Sequence, residues 1–256
     1  MPQTRINYIY LEEAESTNTF LLENAPSLPD RSVVYTYRQT AGRGQKGNSW
    51  ESEPDKNLAF SLLLKNLPIE AKQQFCISEA AAVAICDFLL QFADGFKVKW
   101  PNDIYYNDQK ICGMLIENSL EGRNIAYSVI GVGININQMQ FLSDAPNPVS
   151  LRQITGDDYD LDQLLHDVCQ RIVETMRALS YLSDQSDLSD LHGRYMQCLY
   201  RNDSALHPWE LPDGTVIQAS IAGVDPDGML TLRHADGSLH RYAFKEVKHI
   251  INNITL

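Results

Sequence analysis

FKVKWPNDIYYNDQKICGMLIENSLEGRNIAYSVIGVGININ, residues 96–137, decides the fold. Three apolar runs stand out in it: FKVKW (96–100), ICGMLIENSL (111–120) and IAYSVIGVGININ (125–137). YNDQK separates the first pair and EGRN the second. Apolar runs closed by Asn, Asp and Gly read as strands and turns, and short connections make the strands antiparallel neighbours in a meander. Upstream, SVVYTYR (32–38) and NLAFSLLL (57–64) read as two more strands around TAGRGQKGNSW (40–50). Residues 70–93 carry Phe75, Ala82, Cys86, Leu89 and Leu90 on a helical period, so a helix is expected there. A second helix is predicted over 161–182, with Leu164, Leu165, Val168, Ile172, Met176 and Leu179 on one face, and a shorter one over 187–200. After Tyr200 the chain turns to short strands punctuated by PDG, DPDG and ADG, which predicts a small β-barrel. The expected division is 1–203 and 204–256, with the boundary near 201–205.

The chain has 256 residues, 44% of them hydrophobic and 21% charged, which fits a globular protein with one large core and a small appended unit. No apolar run approaches the roughly 18–20 residues that a bilayer span requires. The N-terminus lacks the basic-then-apolar layout of a signal peptide, so a cytoplasmic protein with no membrane partner is expected. Cysteines at 76, 86, 112, 169 and 198 show no CxxC or Cys/His spacing, which predicts reduced thiols rather than zinc ligands or disulfides. Cys76 and Cys86 read as small core residues. The net charge of −12 argues against a nucleic-acid partner. One segment departs from it: Arg31 to Trp50 holds no acidic residue, yet contains Arg31, Arg38, Arg43 and Lys46. A basic island in an acidic chain points to a small anionic ligand.

GRGQKG (42–47) satisfies GxGxxG, a weak pattern alone. A dinucleotide fold requires a helix starting inside the motif and an acidic residue about 20 positions on. Here NSWESEPDKN and a strand follow, so that reading fails. A P-loop requires Lys then Ser/Thr after the last glycine, where Asn48 and Ser49 stand. The HRD and DFG of a protein kinase are missing. Two readings stay open: a permissive surface turn, or a loop whose backbone N–H groups, with Arg43 and Lys46, cover phosphates.

KWPND (99–103) is followed by Lys110 and Gly113. Pro101 biases Trp100 to an extended conformation, and a hairpin would bring Lys110 near Asn102. Lys110 is then either a solvated strand opener or part of a polar site. In GVGININ (131–137), Gly131 and Gly133 share one strand face, and Asn135 continues it. That face suits either a flat ligand against backbone or close strand packing.

Taken in order, EST-N (15–18), QTAGRGQKGNSW (39–50), KWPNDIYYNDQKICGML (99–115) and GVGININ (131–137) resemble the biotin–protein ligase family. IAGVDPDGMLTL (221–232) is similar to a C-terminal segment of the same family. The resemblance covers nearly the whole chain. It implies an α+β fold, with a mixed, largely antiparallel sheet flanked by helices as in class II synthetases, plus a C-terminal SH3-like barrel. It further implies a ligase that activates biotin with ATP and transfers it to a lysine of a biotin carboxyl carrier protein. Some members carry an N-terminal DNA-binding domain. This chain starts directly at the catalytic segment, so a ligase without repressor activity is expected.

The resemblance places Ser16, Thr17, Asn18 and Gln39 around the biotin head group, and Gly113, Gly131 and Gly133 along its wall. Gly42, Arg43, Gly44, Gln45 and Lys46 fall in the loop over biotin and the adenylate. Trp50 is expected on adenine and Asn135 near the base, with Asn102 beside the nucleotide. Lys110 is expected between the biotin carboxylate and the α-phosphate, and Asp103 on Mg²⁺. Lys110 and Arg43 are the expected catalytic cations, and a homodimer is implied. Where the family loop often reads GRGRRGR, this chain has Gln45, Lys46 and Asn48 in place of three arginines, so its hold on the adenylate is expected to differ. FKEV (244–247) lacks the glycine that many relatives show before the glutamate. The competing expectations are a lipoate–protein ligase of the same fold and a non-catalytic biotin or nucleotide binder.

Overall fold

A computed structural model describes residues 5–142, 147–180 and 185–251. In chain order, its main body holds β1 (Asn7–Tyr10), α1 (Thr17–Asn24), β2 (Ser32–Thr36), β3 (Leu58–Lys65), α2 (Phe75–Leu89), β4 (Phe96–Lys99), β5 (Asp103–Tyr106), β6 (Gln109–Glu121) and β7 (Asn124–Ile134). Helices α3 (Leu151–Thr155), α4 (Leu161–Ser180) and α5 (Gln185–Cys198) follow. Seven strands form one sheet in the order β1-β2-β3-β7-β6-β5-β4. Only β1 and β2 run parallel, and every other pair is antiparallel.

Strand alternation divides this sheet into two unlike faces. Leu58, Phe60, Leu62 and Leu64 of β3 and Ile130, Val132 and Ile134 of β7 belong to the large core that includes α2, α4 and α5. The intervening Leu63 and Val129 meet Leu21 of α1 and Ala25 just past its end on the other side. Along that second face the apolar side chains stop after Val129, where Gly131 and Gly133 follow. The face therefore changes from packed core to groove within one strand.

The second sheet contains β8 (His207–Glu210), β9 (Val216–Val224), β10 (Leu230–His234), β11 (Leu239–Tyr242) and β12 (Lys248–His249), ordered β11-β10-β9-β8-β12 and wholly antiparallel. The glycines of PDG, DPDG and ADG, Gly214, Gly228 and Gly237, take φ of 84°, 86° and 88°, a left-handed conformation that costs glycine little. Trp209 fills the centre of this unit, and Trp100 Nε1 ties it to the main body by donating to the Gly228 carbonyl at 3.0 Å.

Several expected bounds shift. The strand read over 125–137 ends at Ile134, and the helix read over 70–93 contracts to Phe75–Leu89, with a separate short turn at Ala71–Gln73. The 161–182 helix runs to Ser180, and residues 181 and 182 lie outside the described residues. The expected 187–200 helix spans Gln185–Cys198. Strands β1 and β5 and helices α1 and α3 were not foreseen. The turn expected at YNDQK is really two: KWPND joins β4 to β5, and Asn107–Asp108 joins β5 to β6. IYY is a strand too short to show a period.

Candidate active site

A cleft of about 520 Å³ opens on the glycine face and crosses the sheet from α1 and β3 to β4, where the second sheet closes it. Four expected head-group residues, Ser16, Thr17, Asn18 and Gln39, line one end. Ser16 caps α1, accepting from Thr19 N, and so fixes where the helix starts. Thr17 N donates to Gln39 Oε1 at 3.1 Å, while Thr17 Oγ1 sits 2.7 Å from Ser61 Oγ. Ser61 Oγ donates in turn to Asn18 Oδ1 at 2.5 Å. Asn18 Nδ2 donates to the Leu115 carbonyl at 3.1 Å and to Glu117 Oε2 at 3.0 Å. These side chains hold one another in set orientations.

The glycine strip continues from there. Register pairs Gly131 with Leu115 and Gly133 with Gly113. The strip is not bare, which corrects the expected open wall. A Cβ on Gly131 would lie 2.1 Å from Asn18 Oδ1, and one on Gly133 would lie 2.3 Å from Trp50 Cε2. The Trp50 indole thus rests on Gly133 and Gly113, with its Nε1 buried and without a hydrogen-bond partner among the described residues.

Lys110 Nζ is beside the same indole, 5.7 Å from its centroid, and 2.8 Å from Asp103 Oδ1. Positions 110 and 113 would fall on opposite faces of a regular strand. A register shift between Ile104 and Tyr105 pairs Asp103 with Gly113 yet Tyr105 with Lys110. The bulge turns Lys110 onto the glycine face, a re-aiming that bulges commonly perform. Asn102 also lines the cleft, but its amide donates to the Met114 carbonyl and its own carbonyl accepts from Met114 N at 2.9 Å.

The 39–50 loop closes on itself. Gly44 N donates to the Asn48 carbonyl at 2.7 Å, Trp50 N to the Gly42 carbonyl at 2.9 Å, and Ala41 N to Glu15 at 2.9 Å. A Cβ on Gly42 would sit 2.5 Å from the Trp50 carbonyl, so the crossing itself demands glycine there. Gly42 is thus structural and does not line the cleft, whereas Arg43, Gly44 and Gln45 do. The Lys46 side chain lies outside what is described. Arg43 points along α1, donating to Glu117 Oε1 at 3.0 Å and Thr19 Oγ1 at 3.2 Å, so the two expected catalytic cations are bound to different carboxylates.

Asn135, expected at the base, lies beneath the wall instead. It is 3% exposed and donates to the Val149 carbonyl at 3.1 Å, because the strand has ended one residue earlier.

Sequence reasoning missed Ser61, Glu117, Lys99 and the far wall formed by Trp209–Pro212, Phe244, Lys245 and Val247–His249. Glu117 had a signal, standing two and four residues beyond Leu115 and Gly113 on one strand face. The far wall had none, since it is brought in by tertiary packing. Among the described residues no group of three or more His, Cys, Asp or Glu is placed to hold a metal ion. No described helix is long and apolar enough to cross a membrane.

Comparison with known proteins bears on this arrangement. Residues 10–135 match the profile described as the Biotin/lipoate A/B protein ligase family. The chain is 33% identical to a biotin--[acetyl-CoA-carboxylase] ligase of Paracoccus denitrificans, over 60% of this chain and 67% of that one. It is also 33% identical to the bifunctional ligase/repressor BirA of Bacillus spizizenii, over 59% of this chain but 48% of the relative. The chain spans about half the length of that relative and of the Bacillus subtilis one. The biotin protein ligase of Aquifex aeolicus, solved in complex with biotin and ATP, superposes with a TM-score of 0.77 at 24% identity, covering 95% of this chain and 99% of that one. That likeness extends the shared fold across both sheets. On its sequence and its fold, this chain belongs to the biotin/lipoate A/B protein ligase family.

Proposed function

We propose that the chain joins biotin and ATP into biotinyl-5′-adenylate and pyrophosphate, then passes the biotinyl group to a lysine of a biotin carboxyl carrier protein. One observation carries the reading. A polar pocket of Ser16, Thr17, Asn18 and Gln39, held from behind by Ser61, leads past the Trp50 indole on Gly133 and Gly113 to the amine of Lys110. That layout suits a ligand with a urea ring at one end, a slender chain and a terminal carboxylate. The ligase names of the relatives support it.

A carboxylate must approach the α-phosphorus, and both carry negative charge. Coulomb repulsion opposes the approach unless cations offset it. Lys110 takes that role at the reacting end. Arg43 joins it once the loop draws its guanidinium from Glu117, and loop closure shields the anhydride from water. Trp50 covers the nucleotide, and Gly44 and Gln45 supply loop contacts, with Lys46 beside them. Asn102 and Asn135 serve by position, fixing the backbone around Met114 and Val149.

Magnesium fits as a companion of the nucleotide. Asp103 is the carboxylate at the reacting end, and Mg²⁺ is commonly held by one or two carboxylates together with phosphate oxygens. Bound there, it would neutralise phosphate charge. In the second half-reaction a neutral carrier lysine attacks the activated carbonyl and AMP leaves, so no protein nucleophile is required. Residues 1–203 are assigned to biotin and ATP and 204–256 to the unit closing the far end. Cytoplasmic residence and a homodimeric state belong to the same reading.

The test is to incubate the protein with biotin, Mg·ATP and a carrier domain and to weigh the carrier. One added biotinyl group is expected. Absence of both that adduct and biotinyl-AMP would overturn the reading, and transfer of lipoate instead would assign the chain to the other substrate of its family.

A further inference from the structure

The cleft's cations are unequal. Arg43 has Glu117, Lys110 has Asp103, and Lys248 has Glu210 at 3.0 Å. Lys99, at the end of β4 and paired with Asp103 through its backbone, lines the same cleft, and its amine makes no hydrogen bond or ion pair among the described residues. Its amine lies over the Tyr105 ring, 5.1 Å from the centroid, and burial lowers its pKa. Asp103 is its cross-strand neighbour and offsets part of that cost, but Asp103 is already bound to Lys110, so an ammonium partly withdrawn from water is left to gain from an arriving anion. Beside it, His249 is 8% exposed, and neither ring nitrogen is hydrogen-bonded among the described residues.

The sheet order fixes where this anion belongs. From the head-group pocket by α1 and β3, the cleft passes β7, then Lys110 on β6, Asp103 on β5, and reaches Lys99 on β4. Resting on the ligase reading above, we infer that Lys99 binds the β- and γ-phosphates of ATP and the pyrophosphate they become. In an in-line displacement the carboxylate oxygen bonds to the α-phosphorus as the bond from that phosphorus to the α,β-bridging oxygen breaks. The electron pair stays on the bridging oxygen, so negative charge grows on the side away from biotin. Lys99 stands on that side, and His249 offers a further donor there.

Biotin-dependent exchange of labelled pyrophosphate into ATP tests the assignment, using Lys99→Met, which keeps the apolar stem, and Lys99→Arg, which restores the charge. Loss of a charged hydrogen bond predicts a KM for pyrophosphate raised about 10- to 100-fold in Lys99→Met. Biotin affinity by calorimetry should stay at the wild-type value, and Lys99→Arg should recover most of the KM. An unchanged pyrophosphate KM overturns the inference. A parallel loss of biotin affinity also overturns it, since Lys99 would then merely shape the cleft. If the wild-type protein supports no biotin-dependent exchange at all, the ligase reading itself falls.

Discussion

Lys110 Nζ and Asp103 Oδ1 stand 2.8 Å apart on neighbouring strands, joined across a bulge that brings both to the glycine face. The pair keeps the ammonium where a carboxylate and a phosphate would meet, and its partial burial limits how far the long side chain can wander. Lys110→Ala should therefore lower biotin-dependent ATP–pyrophosphate exchange by about 10²–10³-fold, the scale of losing one preorganised cationic donor. Asp103→Asn should lower it less, because the amine remains but is less well placed. Near-normal exchange in a folded Lys110→Ala protein, checked by circular dichroism, would remove this lysine from the chemistry.

The glycine strip yields a sharper contrast. Alanine at 131 would put a methyl 2.1 Å from Asn18 Oδ1, and alanine at 133 would put one 2.3 Å from the Trp50 indole. Asn18 is held by Ser61, Leu115 and Glu117, so it cannot yield without breaking that set. Trp50 sits on a loop and has no hydrogen bond at Nε1 to lose. Gly131→Ala is thus expected to abolish biotin binding. Gly133→Ala should weaken the nucleotide more than biotin. Calorimetry with each ligand measures both, and equal losses for the two variants would contradict this division of the groove.

These relationships show why the sequence is legible in some places and silent in others. The β6–β7 meander and the glycine turns of the second sheet follow from alternation and turn chemistry that each segment carries locally. Lys110 was recognised by its motif, but its facing depends on a bulge that parity alone would misassign. Helix α1 escaped notice because it is short and lacks an amphipathic stripe: its N-cap Ser16 is clear only once the helix is known. Asn135 was placed by extending a strand face one step beyond where the strand ends. Trp209 and His249 line the cleft through contacts between distant segments, which no local pattern encodes.

Arg43 and Glu117 form a second testable pair, 3.0 Å apart and partly solvent-exposed. An exposed pair of this kind is worth only about 0–1 kcal/mol, so it can release Arg43 without a large penalty. Glu117 has a second task, accepting from Asn18 Nδ2 at 3.0 Å. Glu117→Ala is expected to weaken biotin about 10- to 100-fold by loosening Asn18, the range for one charge-assisted hydrogen bond. Gln45→Arg, which adds a cation to the loop, should slow release of biotinyl-AMP in a filter-binding chase. An off-rate as fast as wild type would show that position 45 does not govern retention.

His249 supplies the pH dependence. Its ring is stacked on Trp209, with centroids 3.7 Å apart, and burial, followed by the charges of Lys99 and Arg201, pushes its pKa down to about 2. The unfolded chain restores an ordinary value near 6.5, so below that pH the unfolded state binds a proton that the folded state refuses. A lowered folded pKa means that stability is complete above 6.5 and is lost as pH falls from there toward 2. Between neutrality and pH 5 the loss attributable to this one ring is about 2 kcal/mol. His249→Phe keeps an aromatic ring against Trp209 and removes the titration. Urea unfolding at pH 7 and pH 5 should show a smaller drop in stability for this variant than for wild type. Equal drops would mean that the ring is protonated without unfolding, through water reaching the far end of the cleft.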